Sequence, residues 1–265
     1  MWPAAASDRV FESAEQFSAY HAAAPWKVRV SENGAACVLG EWRDHLDVLA
    51  MRGVWCADGL VPTVCADACE VAREHGFARL LSPLLPVSLL DGYLRAGMDV
   101  YQRVVAMQGI PARIGSDPGA AVGASDVRLD VARADDVSEI AELDAACFDP
   151  FWRYGVTELD ELTRTERAVV ARSGSGQLIG YTLATVSRGA ATLGRLAVDP
   201  QVRRRGVGRL LVADVATWAA EAGAFTLGLC TQEENVASRA LYSSAGLREI
   251  EDRYALAIGD VRDVA

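Results

Sequence analysis

From residue 127 onward, the apolar residues of the chain follow two alternating spacings. Some stretches place them at every second position, as in a half-buried strand, and others at every third or fourth position, as in an amphipathic helix. Strands that alternate with helices predict an α/β domain built around a mixed sheet. The expected strands lie at 127–133, 167–172, 177–186, 191–198, 225–231 and 247–258, the expected helices at 134–147, 208–223 and 235–245, and a loop or short helices at 148–165.

The first half of the chain shows a fainter version of the same organisation. The segment from Ser88 to Met98 has the same pattern as the segment from Ala237 to Leu247: a short apolar helix with a tyrosine, a glycine four residues later, and a strand beyond. Two copies of one fold are therefore predicted. In the first copy, strands are expected at 27–30, 37–42, 46–55 and 77–81, and a helix at 63–75.

A stretch without periodicity separates the two halves. Residues 109–126 are dense in Gly, Ala, Pro, Ser and Asp, a composition typical of linkers. The length of 265 residues also fits two domains of ordinary size. We therefore predict one domain at 1–108 and a second at 127–265, joined by the linker.

Composition narrows the classes of function. A net charge of −10 argues against a nucleic-acid-binding surface. The chain has no apolar run long enough to span a membrane and does not begin with the pattern of a signal peptide, so we expect a cytoplasmic protein. The six cysteines contain no CxxC pair and the three histidines are scattered, so no metal site is expected, and the cysteines are interpreted as reduced and buried. The sequence does not indicate an oligomeric state.

The segment 194–209 carries most of the functional information. It reads GRLAVDPQVRRRGVGR: the end of a strand, a turn, three consecutive arginines and two glycines before a helix. Glycines at such a junction let a ligand approach the backbone, and the first N–H groups of the helix attract anions. Arginine binds phosphate oxygens in a forked geometry. The segment therefore predicts a phosphate site formed by Arg203, Arg204, Arg205, Gly206, Val207, Gly208 and Arg209.

Two common phosphate motifs do not fit this segment. A dinucleotide fingerprint requires a third glycine where Leu211 stands, and a Walker A loop requires Gly-Lys-Ser/Thr. A solvated patch or a nucleic-acid contact is the alternative for the arginine triplet. The glycines and the strand before them favour the phosphate site.

The spacing Arg203-x-x-Gly206-x-Gly208, after Val198-Asp199-Pro200, resembles the GNAT superfamily of N-acetyltransferases. The resemblance is strong over 127–258, where it is closest to the ribosomal-protein alanine acetyltransferases, and weak over 25–108. It implies tandem GNAT-like domains, an arrangement similar to that of mycothiol synthase. It also implies that the loop holds the pyrophosphate of acetyl-coenzyme A, the co-substrate. The coenzyme-binding residues that it implies further are Leu196, Ala197 and Val198, whose backbone N–H groups would contact the thioester oxygen.

The first half has no counterpart of this loop. Between the strand that ends near Trp55 and the helix at Thr63, the chain reads CADGLVP, without an arginine cluster or a Gly-x-Gly pair. Pro62 fits an ordinary helix start. We therefore expect a degenerate copy that binds no coenzyme and has a structural or substrate-shaping role.

Tyr242 is the candidate catalytic acid. A tyrosine of pKa about 10 stays protonated at pH 7 and can donate a proton to a thiolate whose pKa is about 8.5. The resemblance implies an acid tyrosine at this position, in the pattern that runs from Asn235 to Tyr242, and a coenzyme contact from Asn235. The residues alone also allow a packed tyrosine and an asparagine that caps the helix.

The acceptor side of the site is less determined. In the ribosomal-protein alanine acetyltransferases, a glutamate five residues before the asparagine acts as a base, whereas this chain has Cys230 there. The four aromatic residues from Phe148 to Tyr154 are interpreted either as a lid over the acceptor or as a packing cluster. The base is left open among the carboxylates of Asp144, Asp149, Glu158, Asp160 and Glu161.

These features predict an acetyl-coenzyme A-dependent N-acetyltransferase whose acceptor is a small-molecule amine or a protein N-terminal amine. Without a strong base, a low-pKa acceptor is favoured: an α-amine of pKa near 8 is about a tenth neutral at pH 7, against less than about one part in a thousand for lysine. The alternative is a non-catalytic module that binds an acyl-coenzyme A and regulates a partner, although the tyrosine argues against it.

Overall fold

The computed structural model describes residue 11 and residues 13–115 and 126–264. The chain divides into two compact units. The first combines the residues up to Val104 with those from Asp252 onward, and the second is Val105–Glu251. The C-terminal residues that the sequence assigned to the second domain therefore belong to the first unit.

The linker predicted at 109–126 is described only at its two ends. Its first residues complete a strand and continue into a short 3-10 helix at Pro111–Arg113. Residues 116–125 lie outside the described residues.

The first unit is a mixed sheet packed against one long helix. Strand β4 pairs in parallel with β3 and antiparallel with the C-terminal strand β12, where Leu81 lies opposite Ile258. The strand order is β1-β2-β3-β4-β12, with β5 also paired to β12. The elements are α1 (Ala14–Ala23), β1 (Val28–Val30), β2 (Ala36–Trp42), β3 (His45–Trp55), α2 (Val61–Glu74), β4 (Arg79–Leu81), β5 (Leu85–Pro86), α3 (Asp91–Arg95), the first part of β6 (Asp99–Gly109) and most of β12 (Arg248–Asp260).

Helix α2 shows why this unit holds together. Its apolar residues recur at helical spacing on one face, so Val64, Cys65, Ala68 and Cys69 are all buried against the sheet. The two cysteines are free thiols in this core, as the sequence indicated. Pro62 stands in the first turn of the helix, where a proline costs no hydrogen bond.

The second unit is a sheet with helices on both faces. Because side chains alternate along a strand, Val170 and Leu183 pack with α4 and α5, whereas Leu193 and Leu229 pack with α6 and α7. Its strand order is β6-β11-β10-β9-β8-β7. The elements are β7 (Arg128–Val131), α4 (Val137–Cys147), α5 (Val156–Thr165), β8 (Arg167–Arg172), β9 (Leu178–Ser187), β10 (Ala190–Val198), α6 (Val207–Glu221), β11 (Thr226–Gln232) and α7 (Val236–Ala245).

The internal repeat is visible in matching helix ends. The Met98 N–H donates to the Tyr93 carbonyl at 3.1 Å, and the Leu247 N–H donates to the Tyr242 carbonyl at 3.0 Å. Gly97 and Gly246 have φ of +86° and +105°, a backbone conformation that glycine adopts without strain. Both tyrosines are buried in the core of their own unit. The predicted α/β fold class, with two related copies around a mixed sheet, is confirmed.

Two further observations concern the described residues as a whole. None of their helices is long and apolar enough to cross a membrane. Their His, Cys, Asp and Glu side chains form no group of three or more that is arranged to hold a metal ion.

Candidate active site

The site is formed where the pairing of β10 with β11 stops. The two strands are parallel, and their register pairs end at Thr192 and Gly228, although both strands continue. On its other edge, β10 remains paired with β9 as far as Val198. One edge of residues 193–198 is therefore not paired with β11, and a bulge at Gly194 marks the start of this stretch.

The segment after β10 leads directly into α6. The Asp199 carboxylate accepts a hydrogen bond from the Gln201 N–H at 2.8 Å and fixes the turn. Gly206 stands at the N-cap with φ of +87°, and no side chain of the described residues caps the helix there. The first N–H groups of a helix without such a cap remain available to a ligand.

The second glycine of the motif has a packing role. A Cβ atom at Gly208 would lie 3.0 Å from Leu241 Cδ2 and 3.6 Å from Val198 Cγ2. The first distance is tight, so the Leu241 side chain would have to shift by a few tenths of an ångström, whereas the second is an ordinary van der Waals contact. Gly208 thus lets the start of α6 pack closely against α7, while Gly206 forms the turn.

The three arginines of the motif have different surroundings. Arg203 lies back on the strand, where its Nε donates to the Val198 carbonyl at 3.2 Å. Arg204 and Arg205 are exposed, and neither forms an ion pair or a side-chain hydrogen bond within the described part of the chain. Two guanidinium groups are therefore available beside the uncapped start of α6.

Helix α7 carries the two remaining residues that were predicted to act on the coenzyme, Asn235 and Tyr242. Asn235 is its N-cap and accepts the Ser238 N–H at 3.1 Å, which confirms the capping interpretation. Tyr242 is only 7% exposed, in the same apolar cluster as Leu193 and Leu229. Burial raises the pKa of its hydroxyl to about 12, so the group is protonated at neutral pH.

A buried ion pair stands on the opposite side of the sheet. Asp144 is completely buried, and its carboxylate accepts hydrogen bonds from Arg195 Nε and Nη2, each at 2.8 Å. The Tyr154 N–H at 3.0 Å and the Tyr181 hydroxyl also donate to this carboxylate. Because both of its oxygens are occupied, we assign Asp144 to holding β10 against the segment after α4 rather than to proton transfer.

The aromatic residues after α4 surround this ion pair. The Arg195 guanidinium lies 3.3 Å from the ring centroid of Phe148 and 4.5 Å from that of Tyr154, and its Nη2 donates to the Trp152 carbonyl at 2.8 Å. Phe151 is buried. These contacts favour the packing interpretation of the aromatic segment over the lid.

Three of the other candidate bases, Asp149, Asp160 and Glu161, are engaged or on the surface. Asp149 accepts the Phe151 N–H at 3.0 Å, and Asp160 pairs with Arg164 at 2.8 Å. Glu158 and Glu161 lie on α5, and Glu161 is exposed. The surface of Cys230 is exposed, yet the protein around it desolvates the thiol and raises its pKa to about 11. Cys230 is therefore protonated at neutral pH and does not replace the family's glutamate as a base.

One carboxylate near the site, that of Glu166, was not among the candidates predicted from the sequence. Glu166 follows α5 and directly precedes β8, and it lies partly buried near the bulge at Gly194. Its polar neighbours in sequence, Thr163 to Thr165, make it look like an ordinary loop residue. Its place immediately before a buried strand is the one sequence signal that could have singled it out.

Comparison with known proteins identifies relatives of the second unit. Residues 137–247 match the model of the Acetyltransferase (GNAT) family. The [Ribosomal protein bS18]-alanine N-acetyltransferase of Escherichia coli K12 is 35% identical over 75 residues, which are 28% of this chain and 51% of the relative. The enzyme of the same name from Salmonella typhimurium is 36% identical over 73 residues, 28% of this chain and 49% of the relative. The chain thus spans about half the length of the curated relatives it matches.

Solved structures extend the similarity of fold to both halves. A GCN5-related N-acetyltransferase from Sphaerobacter thermophilus has a TM-score of 0.66 at 18% identity, over 88% of this chain and 79% of its own. A tandem GNAT protein from the clavulanic acid biosynthesis pathway has a TM-score of 0.65 at 17% identity, over 87% of this chain and 81% of its own. At these identities, the likeness concerns the fold.

Proposed function

We propose that this chain transfers an acetyl group from acetyl-coenzyme A to a primary amine, with residues 137–247, which match the Acetyltransferase (GNAT) family, as the acetyltransferase domain. The observation that carries the proposal is the uncapped start of α6, with Arg204 and Arg205 free beside it, at the end of a strand whose edge has opened. The backbone N–H groups and the guanidinium groups can bind a phosphate. The unpaired strand edge can bind the part of the ligand that extends from that phosphate.

The residues of the second unit fit acetyl-coenzyme A. The N–H groups of residues 205–208 and the guanidinium groups of Arg204 and Arg205 would hold its pyrophosphate, and Asn235 lies at the start of the neighbouring α7. The bound coenzyme supplies an activated acetyl group as a thioester. In the described part of the first unit, the segment before α2 has neither arginines nor a Gly-x-Gly pair, so we assign coenzyme binding to the second unit alone.

The chain's own groups would promote the transfer in two ways. Backbone N–H groups on the open edge of β10, at Leu196 to Val198, would stabilise the negative charge that develops on the thioester oxygen. The Tyr242 hydroxyl would give its proton to the departing sulfur, because it stays protonated throughout the neutral range. The amine would attack the thioester directly.

For the acceptor, we propose an amine of low pKa. The curated relatives are named for an alanine of ribosomal protein bS18. An N-terminal α-amine is about a tenth neutral at pH 7, so it reaches the reactive form far more often than a lysine side chain. A small-molecule primary amine of similar pKa fits the same chemistry. Because six free thiols are typical of a reducing compartment, we place this reaction in the cytoplasm.

The proposal is tested with the full chain by calorimetry and thiol release. We expect one molecule of acetyl-coenzyme A to bind per chain. We also expect coenzyme A thiol to be released when a peptide with N-terminal alanine, or a panel of small primary amines, is added. Binding without release from any amine would favour the non-catalytic regulatory module. Failure to bind would overturn the proposal.

The exposed arginines give a prediction for affinity. Replacing Arg205 with alanine should weaken acetyl-coenzyme A binding about tenfold or more, because one charge-assisted hydrogen bond to phosphate contributes about 1.5–3 kcal/mol. The loss should shrink at high salt. Calorimetric titrations at two salt concentrations measure both effects. Arg248→Ala, at another exposed arginine of the second unit, removes the same charge and should leave affinity unchanged; equal losses in both variants would contradict the prediction.

A further inference from the structure

Glu166 lies beside the bulge that Gly194 forms in β10. Its Oε2 is 4.0 Å from the position that a Cβ atom would occupy at Gly194. Gly194 is exposed and forms the bulge of β10, just beyond the last residue that pairs with β11. Because Gly194 has no side chain, no Cβ atom lies against the Glu166 carboxylate at that position.

The Glu166 carboxylate has no partner among the described residues. The nearest cations along the chain bind other carboxylates: Arg164 pairs with Asp160 and Arg167 with Asp214. Arg195, the neighbour of Gly194, is held by Asp144. No charged side chain in the described ranges shifts the titration of Glu166, so burial alone raises its pKa above the ordinary value. A partly buried carboxylate without a partner serves no evident structural purpose.

We propose that Glu166 is the proton acceptor of the acetyl transfer, an inference that rests on the proposed function. The nitrogen lone pair of the amine forms a C–N bond with the acetyl carbon, and the C–S bond breaks with its electron pair on sulfur. One N–H proton passes from the attacking nitrogen to the Glu166 carboxylate, and the sulfur receives a proton from Tyr242. The products are the N-acetylated amine and the coenzyme thiol. A base near pH 7 works best when its pKa is raised toward that pH, which is the direction of the shift at Glu166.

The Glu166→Gln variant is the direct test. Its kcat for thiol release with an N-terminal alanine peptide, or with the most reactive amine of the panel, should fall about 100-fold, while acetyl-coenzyme A binding stays unchanged. The wild-type rate should fall as the pH drops through the raised pKa, and this acidic limb should disappear in the variant. Stability should not decrease, because ionising a partly buried carboxylate without a partner disfavours the folded state.

Glu142→Gln, at an exposed glutamate of α4, is the matched control and should retain the wild-type rate and pH profile. A Glu166→Gln rate within twofold of wild type, or an acidic limb that persists in the variant, would overturn the inference. So would an equal loss in both variants.

A second measurement needs no acceptor. Carboxyl-¹³C glutamate resonances of the full chain, assigned by difference with Glu166→Gln, report the titration of Glu166 with and without saturating acetyl-coenzyme A. A coenzyme whose acetyl group covers the carboxylate removes water from it and should raise its midpoint further. An unchanged midpoint despite binding would overturn the role of Glu166, whereas absence of binding would overturn the proposed function itself.

Discussion

Replacing Tyr242 with phenylalanine should lower kcat for thiol release about 1000-fold while leaving acetyl-coenzyme A affinity nearly unchanged. The phenyl ring fills the same buried site but cannot protonate the departing sulfur, and a positioned acid contributes about 10²- to 10⁴-fold. Steady-state rates and calorimetric binding, measured on the same preparations, separate the two effects.

The pH dependence has a definite sign. Burial raises the pKa of Tyr242 to about 12, so this acid is lost only when the pH approaches that value. No decline attributable to Tyr242 should therefore occur between pH 7 and 10. A basic limb near pH 8 that Tyr242→Phe abolishes would contradict the assignment.

The repeat within the chain supplies a control for packing. Tyr93 occupies the corresponding helix in the first unit, is buried to a similar degree, and accepts the same kind of backbone hydrogen bond. Tyr93→Phe should change stability about as much as Tyr242→Phe, yet leave the rate of transfer unchanged. A comparable loss of rate in both variants would show that the hydroxyl acts only through the fold.

The second large effect concerns stability. Replacing Asp144 with alanine should lower the free energy of unfolding by about 3–5 kcal/mol, because Arg195 then stays buried without a counter-charge. Urea unfolding of the full chain, followed by Trp fluorescence, measures this loss. Thiol release should fall too, because Arg195 lies on β10 directly after the bulge and its anchorage sets the position of the open edge.

An exposed pair provides the comparison for that measurement. Arg128 and Asp130 form an ion pair at 2.7 Å on the surface of the same unit, where such pairs contribute about 1 kcal/mol or less. Asp130→Ala should therefore cause a small loss. If the two variants lose the same free energy, the buried network does not hold β10 in the way described.

The regular elements near the site could be predicted because their patterns are local. The strand at 167–172 was placed without error, and β7, β9, β10 and β11 begin and end within two residues of the prediction. Helix α1 was missed because it has no buried residues and therefore no apolar face to detect. Helix α5 was expected only as a loop or short helices because a single buried residue, Leu159, anchors it.

Within the site too, features formed by adjacent residues could be predicted, whereas contacts between residues distant in sequence could not. The glycine loop could be read directly because its chemistry depends on adjacent backbone groups at one strand-to-helix junction. Asp144 and Arg195 are 51 residues apart, so their pairing arises only in the folded sheet, and the sequence left Asp144 among the candidate bases. Glu166 was missed for the same reason: its proximity to Gly194 depends on how β8, β9 and β10 lie side by side.

The position of the C-terminal strand has a consequence for biosynthesis. The sheet of the first unit is completed by residues after Asp252, and the Ala257 N–H donates to the Ser82 hydroxyl across 175 residues of chain. A ribosome releases the early part of this sheet long before the strand that completes it. During synthesis, the sheet of the first unit therefore has an unpaired strand edge until the whole second unit has been translated. An unpaired edge can pair with other chains, so we expect the nascent chain to be most prone to aggregation in that interval.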